Sequence, residues 1–258
     1  PGRRFDAARA RASLAAQGFT CIDLTGDGTL DIVAVADDAD VGGIVNTGAA
    51  YLFAGDGGFA GEMSPQATLV VPGANANDQL GFSPLRFGDV TGDGKLDVVA
   101  GTRLASLGGV LHTGVIYVFA GSSALLGTTA PTATLTVAAP VANDHLDAVQ
   151  LADVTGDGRL DIVGHAFADP NGIVNAGALY VYPGGPMQGT LLPSATLAVP
   201  NAQPGDPMYL AFVADLTGDG VSDVLGASPA ANIGGVLNAG ALYLWSGTMS
   251  GTPAPLQM

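Results

Sequence analysis

The stretch DLTGDGTLD at residues 23–31 decides the fold, because the chain repeats it three more times. The other copies are DVTGDGKLD at 89–97, DVTGDGRLD at 153–161 and DLTGDGVSD at 215–223. Their starts are 66, 64 and 62 residues apart, so one unit of about 64 residues recurs along the sequence. Copies at a nearly fixed period predict a repeat architecture in which each unit is one supersecondary structure.

Each unit carries four strand signals separated by glycine, proline, asparagine and aspartate. In the first copy these are DIVAVA at 31–36, AAYLF at 49–53, ATLVVP at 67–72 and SPLRF at 83–87. Alternating and continuous apolar runs of this length favour strands, and no helical periodicity interrupts a unit. Tandem four-stranded units predict an all-β fold, specifically a β-propeller of four four-stranded antiparallel blades.

The repeats define a single β-propeller domain over residues 1–258, with residues 1–12 as an N-terminal closing or linker segment. Each repeat is expected to contain one acidic stretch and its strands. The approximate repeats are 13–72, 73–140, 141–200 and 201–258.

The two ends of the chain are in phase with each other. Residues 251–258 align with 127–134, and residues 3–5 fall opposite 69–71, so the chain spans nearly a whole number of repeats. We expect residues 3–5 to run beside 255–258 and close the ring, because pairing removes exposed strand edges. The alternative is that the chain is part of a larger propeller of about seven blades, and the sequence leaves both open.

The repeated stretch has the layout of a loop that wraps a hard cation. Oxygen-bearing side chains stand at its positions 1, 3, 5 and 9, glycine at position 6 allows a sharp turn, and position 7 would offer its backbone carbonyl. Position 7 is occupied by Thr29, Lys95, Arg159 and Val221, and this indifference to side chain is typical of a carbonyl ligand. An EF-hand is excluded because no glutamate stands at position 12 and no helices flank the loop.

We therefore predict up to four Ca²⁺ ions, one in each loop. The alternative is an aspartate-rich turn that caps itself through bonds from backbone N–H to side chain. Repulsion among three carboxylates on one turn argues against that alternative. The predicted metal residues are Asp23, Thr25, Asp27, Thr29, Asp31, Asp89, Thr91, Asp93, Lys95, Asp97, Asp153, Thr155, Asp157, Arg159, Asp161, Asp215, Thr217, Asp219, Val221 and Asp223.

The units resemble FG-GAP repeats, the blades of the integrin α-subunit head and of many bacterial secreted proteins. The residues that carry the resemblance are the D-x-T-G-D-G-x-x-D stretch, the apolar strand after it and the aromatic strand that ends in glycine. The resemblance covers roughly residues 13–258. It implies a propeller with Ca²⁺ between strands 1 and 2 of certain blades, and it does not imply an enzyme.

The amino-acid composition limits which classes of partner and which cellular location are expected. Twelve aspartates of the four stretches account for most of the net charge of −15, and the single lysine argues against nucleic acid as a partner. No apolar run is long enough to predict a membrane span. Loops with so few carboxylates would fill poorly at cytosolic calcium concentrations, so we expect an extracellular or cell-surface protein. The lone Cys21 is expected to be a buried thiol.

Ligand-binding candidates lie in the loops at the opposite end of the blades. The connections between strands 2 and 3 and between strands 4 and 1 are expected on one face of a propeller. The residues chosen there are Asn46, His112, Asn175, Asn238, Asp78, Asp144 and Asp206. The alternative for the four aligned residues of the first connection is a left-handed turn without a ligand.

Two functional classes follow from these features. The first is a calcium-stabilised extracellular binding or adhesion module that recognises a protein or glycan. The second is a structural surface or filament subunit that self-associates through its terminal strands. Catalysis is not expected, because the three histidines fall at different repeat positions and no nucleophile or metalloprotease motif is present.

Overall fold

The protein is all-β, as predicted. The computed structural model describes residues 19–55, 59, 62–122, 125–199 and 202–256. Apart from a three-residue 3₁₀ turn at Pro170–Gly172, the regular elements of this part are strands. They are β1 (Phe19–Ile22), β2 (Asp31–Ala36), β3 (Ala49–Phe53), β4 (Ala67–Leu69), β5 (Arg86–Gly88), β6 (Asp97–Thr102), β7 (Val115–Phe119), β8 (Gly127–Thr129), β9 (Ala133–Leu135), β10 (Asp147–Ala152), β11 (Asp161–Ala166), β12 (Ala178–Tyr182), β13 (Gly189–Leu191), β14 (Ala195–Leu197), β15 (Tyr209–Ala214), β16 (Asp223–Ser228) and β17 (Ala241–Trp245).

The strands form four sheets, one for each copy of the repeat. Sheet 1 is β1-β2-β3-β4-β8, sheet 2 is β5-β6-β7-β9-β13, sheet 3 is β10-β11-β12-β14 and sheet 4 is β15-β16-β17. Consecutive strands of each repeat pair antiparallel, and their registers are equivalent. For example, Tyr117 faces Ala100 and Tyr180 faces Gly164 across the two central strands. The small residue on the neighbouring strand thus leaves space for the side chain of the aligned tyrosine.

The edge strands differ from the predicted four-stranded antiparallel blades. β8 pairs parallel with β4, and β13 pairs parallel with β9, although each belongs by sequence to the following repeat. Gly251 makes the equivalent parallel bridge to Ala195 at the edge of sheet 3. The predicted repeat boundaries therefore do not separate the sheets, because each repeat gives a short segment to the outer edge of the sheet before it.

Three hydrophobic clusters hold the sheets face to face in sequence order. Leu52 of sheet 1 packs in one cluster with Phe119 of sheet 2. Val118 of sheet 2 and Tyr182 of sheet 3 belong to the next, and the third joins sheet 3 to Trp245 of sheet 4. Within the described ranges these clusters join only consecutive sheets.

The predicted closure of the ring is not seen in the described part of the chain. None of its clusters joins sheet 4 to sheet 1. Residues 3–5 lie outside the described residues, so the expected pairing with 255–258 stays a prediction. Leu256 does bridge antiparallel to Leu244, where an outer strand of sheet 4 would begin. The predicted burial of Cys21 is confirmed.

Candidate functional site

The carboxylate at position 1 of each acidic loop organises the turn that follows it. In the third copy, Asp153 Oδ1 accepts from the N–H groups of Gly156 at 2.7 Å and Asp157 at 3.2 Å, and Oδ2 accepts from Gly158 at 2.8 Å. The same three bonds recur at Asp23, Asp89 and Asp215. Successive N–H groups thus converge on one carboxylate, and position 1 shapes the loop.

The carboxylate at position 9 is fully buried and joins the loop to a distant strand. Asp161 Oδ2 accepts from the N–H groups of Val154 at 2.8 Å and Thr155 at 2.9 Å, and its Oδ1 accepts from Gly184 at 2.9 Å. The equivalent carboxylates of Asp31, Asp97 and Asp223 make the same bonds. Gly184 follows the aromatic strand β12, so this bond joins the acidic stretch to the end of that strand.

The glycine that donates this bond is required by close packing. A Cβ on Gly184 would lie 2.4 Å from the carbonyl oxygen of Leu160, and equivalent contacts of 2.2 and 2.1 Å exist at Gly55 and Gly121. Any side chain would push the strand end away from the carboxylate. Burial by itself would raise the pKa of Asp223, but the backbone N–H groups of Gly247, Leu216 and Thr217 outweigh it and lower the pKa.

The carboxylate at position 5 is exposed and makes fewer bonds. Asp157 Oδ1 accepts from the N–H of Arg159 at 2.9 Å, and Asp27 accepts from both the hydroxyl and the N–H of Thr29. These bonds, the hydroxyl first, lower the pKa of Asp27. The other Asp157 oxygen lies 4.0 Å from the Arg159 guanidinium. Position 5 therefore supplies the solvent-facing carboxylate of the loop.

The threonine hydroxyl at position 3 is the side-chain oxygen of the loop with the weakest hydrogen bonding. The hydroxyl oxygens of Thr25 and Thr155 are buried and have no hydrogen-bond partner. Those of Thr91 and Thr217 are 3.4 and 3.5 Å from the position 9 carboxylate, at the limit of a hydrogen bond. A buried oxygen without a partner is costly, and a hard cation prefers such an oxygen as a ligand.

The carboxylates do not gather into one cluster. Among the residues that the structure describes, no group of three or more histidine, cysteine, aspartate or glutamate side chains is placed to hold a metal. The hydrogen bonds at positions 1, 5 and 9 are those of the self-capping alternative. Because each carboxylate has its own N–H donors, these bonds offset part of the repulsion that the sequence predicts. Calcium binding stays a prediction.

At the opposite end of the sheets, the four aligned candidates share a left-handed backbone, as the turn interpretation predicts. The φ angles of Asn46, His112, Asn175 and Asn238 are 50°, 52°, 53° and 52°. The N–H of each donates to a side chain six residues earlier, for example Asn175 to Asp169 at 2.7 Å. These residues thus have a structural role in the connection, whether or not they also contact a ligand.

The two kinds of connection lie together on one face, as expected from the sequence. The N–H of Gln79 donates to the carbonyl of Asn46 at 3.1 Å, and the N–H of His145 donates to that of His112 at 3.1 Å. Each loop between sheets is therefore bonded to the loop within the preceding sheet. We call this end of the sheets the loop face and the other end, with the acidic stretches, the hairpin face.

The aspartate candidates of the loop face fall in three equivalent clefts. Asp78 and Asp144 are buried, and burial raises the pKa of both, while Asp206 is partly exposed. Asp78 accepts from the N–H groups of Asn75 at 2.7 Å and Ser106 at 3.2 Å. The first cleft has a volume of about 630 Å³, and the others have about 250 and 200 Å³.

Each cleft also contains a tyrosine, which was not among the ligand-binding residues predicted from the sequence. Tyr117 lines the first cleft with Asp78 and His112, Tyr180 lines the second with Asp144, and Tyr243 lines the third with Asp206. Burial raises the pKa of each tyrosine. The sequence signal that could have found these tyrosines is that they recur at a fixed position of the repeat, as the cleft aspartates also do.

Five aromatic rings form a continuous ladder beside the loop face, which the sequence did not predict. His112 stacks on His145, which meets Phe167 edge-on, and Phe167 contacts both His165 and Tyr209. Burial lowers the pKa of His165 to about 4. The three histidines occupy different repeat positions, so only the packing of the sheets brings them together.

No protein-family model matches the chain, and a search of curated proteins returned no match. None of the helical segments in the described ranges has the length and apolarity to cross a membrane. The FG-GAP resemblance therefore depends on the repeated motif residues alone.

Proposed function

We propose that this protein is a calcium-stabilised, extracellular or cell-surface binding module of the FG-GAP type, whose four sheets are propeller blades. The observation that carries the binding role is the set of three equivalent clefts on the loop face, each lined by the aligned aspartate and the aligned tyrosine. A protein or glycan ligand would meet carboxylates from the loops between sheets and tyrosines from β7, β12 and β17 there. No catalytic role is proposed.

The hairpin face fits a resident Ca²⁺ through its donor set. In the third loop the residues that would hold the ion are Asp153, Thr155, Asp157 and Asp161, with the backbone carbonyl of Arg159. The unpartnered Thr155 oxygen supports this assignment. A bound Ca²⁺ would supply positive charge that these oxygens share, and the chain's own carboxylates would keep the turn folded around it.

The first cleft is the place to test ligand binding, because it is the largest. Asp78→Asn and Tyr117→Phe keep the shapes of the side chains while removing the charge and the hydroxyl. Tyr182→Phe is the matched control, since it removes a buried hydroxyl that has no partner and lines none of the three clefts.

The full chain would be applied in calcium buffer to an array of purified glycans and a panel of extracellular matrix proteins. We expect retention by at least one probe, lost in Asp78→Asn and weakened in Tyr117→Phe, with the control unchanged. Absence of any retention, or equal retention by all variants, would overturn the proposal.

A structural subunit is the second candidate function. It is favoured by the large apolar side chains that sheet 4 leaves exposed, among them Phe212, Leu216 and Leu242. Self-association of this kind does not depend on calcium or on the clefts.

A further inference from the structure

Among the residues that the structure describes, one apolar sheet face occurs four times and is covered three times. In sheet 3 the residues of this face are Val154, Val163, Leu179 and Val181, each 0% exposed against sheet 4. Their equivalents in sheets 1 and 2 are at most 2% exposed. Those residues are Leu24, Val33, Ala50 and Leu52 in sheet 1, and Val90, Val99, Ile116 and Val118 in sheet 2.

Sheet 4 presents the same face to solvent. Leu216 is 48% exposed and Leu242 is 56% exposed, and Leu225 and Leu244 are partly exposed. Solvent-exposed leucines grouped on one face of a sheet usually mark an interaction surface. The repeat itself indicates what covers such a face, because in three copies the cover is the next sheet of the same kind.

The backbone beside this face is also prepared for another sheet. In the first three copies the loop-face carbonyls accept N–H groups from the following unit, as Ala176 does from Met208 at 3.1 Å. Within the described residues no such backbone bond reaches the equivalent carbonyls at 237–239. A Cβ on Gly177 would lie 2.7 Å from the nitrogen of Met208, whereas the nearest atom to one on Gly240 is 3.5 Å away.

Sheet 1 carries the complementary half of this interface. In sheets 2, 3 and 4 an aligned aromatic residue packs on the preceding sheet, and Phe119, Tyr182 and Trp245 are each 1% exposed. The equivalent residue of sheet 1, Phe53, is partly exposed. The described part of the chain thus exposes both an apolar face and the aromatic face that covers it elsewhere.

We infer that sheet 4 is a docking surface for sheet 1 of a second copy of this chain. The contact is heterologous, since two different faces meet, and it adds one more interface of the type already formed three times. The apolar residues exclude water from the new interface. At a net charge of −15 per copy, the contact is favoured by physiological salt, which screens long-range repulsion.

The test is the mass of the full chain in solution, measured by sedimentation velocity over a roughly hundredfold range of micromolar protein concentrations. Mass should rise to two or more copies with concentration. Leu242→Glu should weaken association about a hundredfold or more, because the carboxylate would be buried without a partner. Leu216→Glu is a second variant, to be used if Leu242→Glu does not fold.

Leu237→Glu is the matched control. Leu237 is 75% exposed, and its equivalents Val45, Leu111 and Val174 stay exposed where an interface has formed. This variant should associate like the wild type. A wild-type chain that stays monomeric at every concentration overturns the inference. So does association that survives the substitutions of Leu242 and Leu216, or that is lost in Leu237→Glu, because the contact would then use another surface.

Discussion

The two ends of each sheet are held together in different ways. At the hairpin face, two aspartates per unit each accept three backbone N–H groups, and one of the two is fully buried. At the loop face, backbone groups of neighbouring sheets bond to each other, and the side chains of the left-handed residues matter less. Single substitutions should therefore act strongly at the hairpin face and weakly at the loop face.

The largest effect is expected from Asp161→Ala. The substitution leaves the N–H groups of Val154, Thr155 and Gly184 without an acceptor in a buried site. We expect a loss of about 4 kcal/mol in the free energy of unfolding, measured by denaturant titration in the presence of EDTA. Asp157→Ala is the control, because Asp157 is exposed, and it should cost well under about 1 kcal/mol in EDTA. Equal effects of the two substitutions would contradict the comparison.

Calcium should add a second contribution at the hairpin face. Up to four ions per chain are expected by equilibrium dialysis, and a site with free Ca²⁺ at about 100 times its Kd stabilises the fold by about 2.7 kcal/mol. EDTA should therefore lower the Tm without unfolding the protein at room temperature, since the loops have their own hydrogen bonds. Asp93→Ala should remove one ion and leave the others. A chain that binds no calcium would rule out the metal prediction.

The buried His165 should make stability depend on pH. Its folded pKa of about 4 lies below the usual value of 6.5, so the unfolded chain binds the extra proton. Stability is then fully present above about pH 6.5 and is lost as pH falls towards 4, by about 2 kcal/mol between pH 7 and pH 5. His165→Phe should reduce this loss, measured by denaturant titration at both pH values. An unchanged pH dependence would show that His165 is not the group responsible.

The smallest effect is expected at the left-handed residues of the loop face. Asn175→Ala should cost about 1 kcal/mol, because alanine is disfavoured at a φ of 53°. Asn175→Gly should be nearly neutral, because glycine adopts this conformation freely. The two variants compared by thermal unfolding separate backbone strain from loss of the amide group. A large loss in the glycine variant would show that the side chain itself holds the connection.

The strands were predictable because their signals are local. The apolar runs at 31–36 and 49–53 match β2 and β3 residue for residue, and the acidic stretches fall between the first two strands of each sheet. The parallel edge strands were not predictable. β8 has the sequence GTT and β13 has GTL, which are too short and too polar to signal a strand by themselves. They pair because the preceding sheet has an open edge beside them.

The site was predictable as a set of residues but not as a set of contacts. The sequence shows which positions carry oxygen, and the carboxylates at positions 1, 5 and 9 do accept N–H groups within the hairpin loops. It does not show that Gly184, 23 residues after Asp161, donates to that carboxylate. The ladder from His112 to Tyr209 was likewise hidden, because its residues stand at unrelated repeat positions. Such contacts depend on how separate sheets pack.

The parallel edge strands also affect how the chain folds during its synthesis. β4 ends at Leu69, but its edge partner begins only at Gly127, near the end of the next repeat. At ribosomal rates of about 5–20 residues per second, the edge of sheet 1 stays open for several seconds after its own strands have emerged. Assembly therefore proceeds from the N-terminus, and each emerging repeat seals the sheet before it. A nascent chain stalled between residues 70 and 126 would carry a bare edge that another chain can pair with.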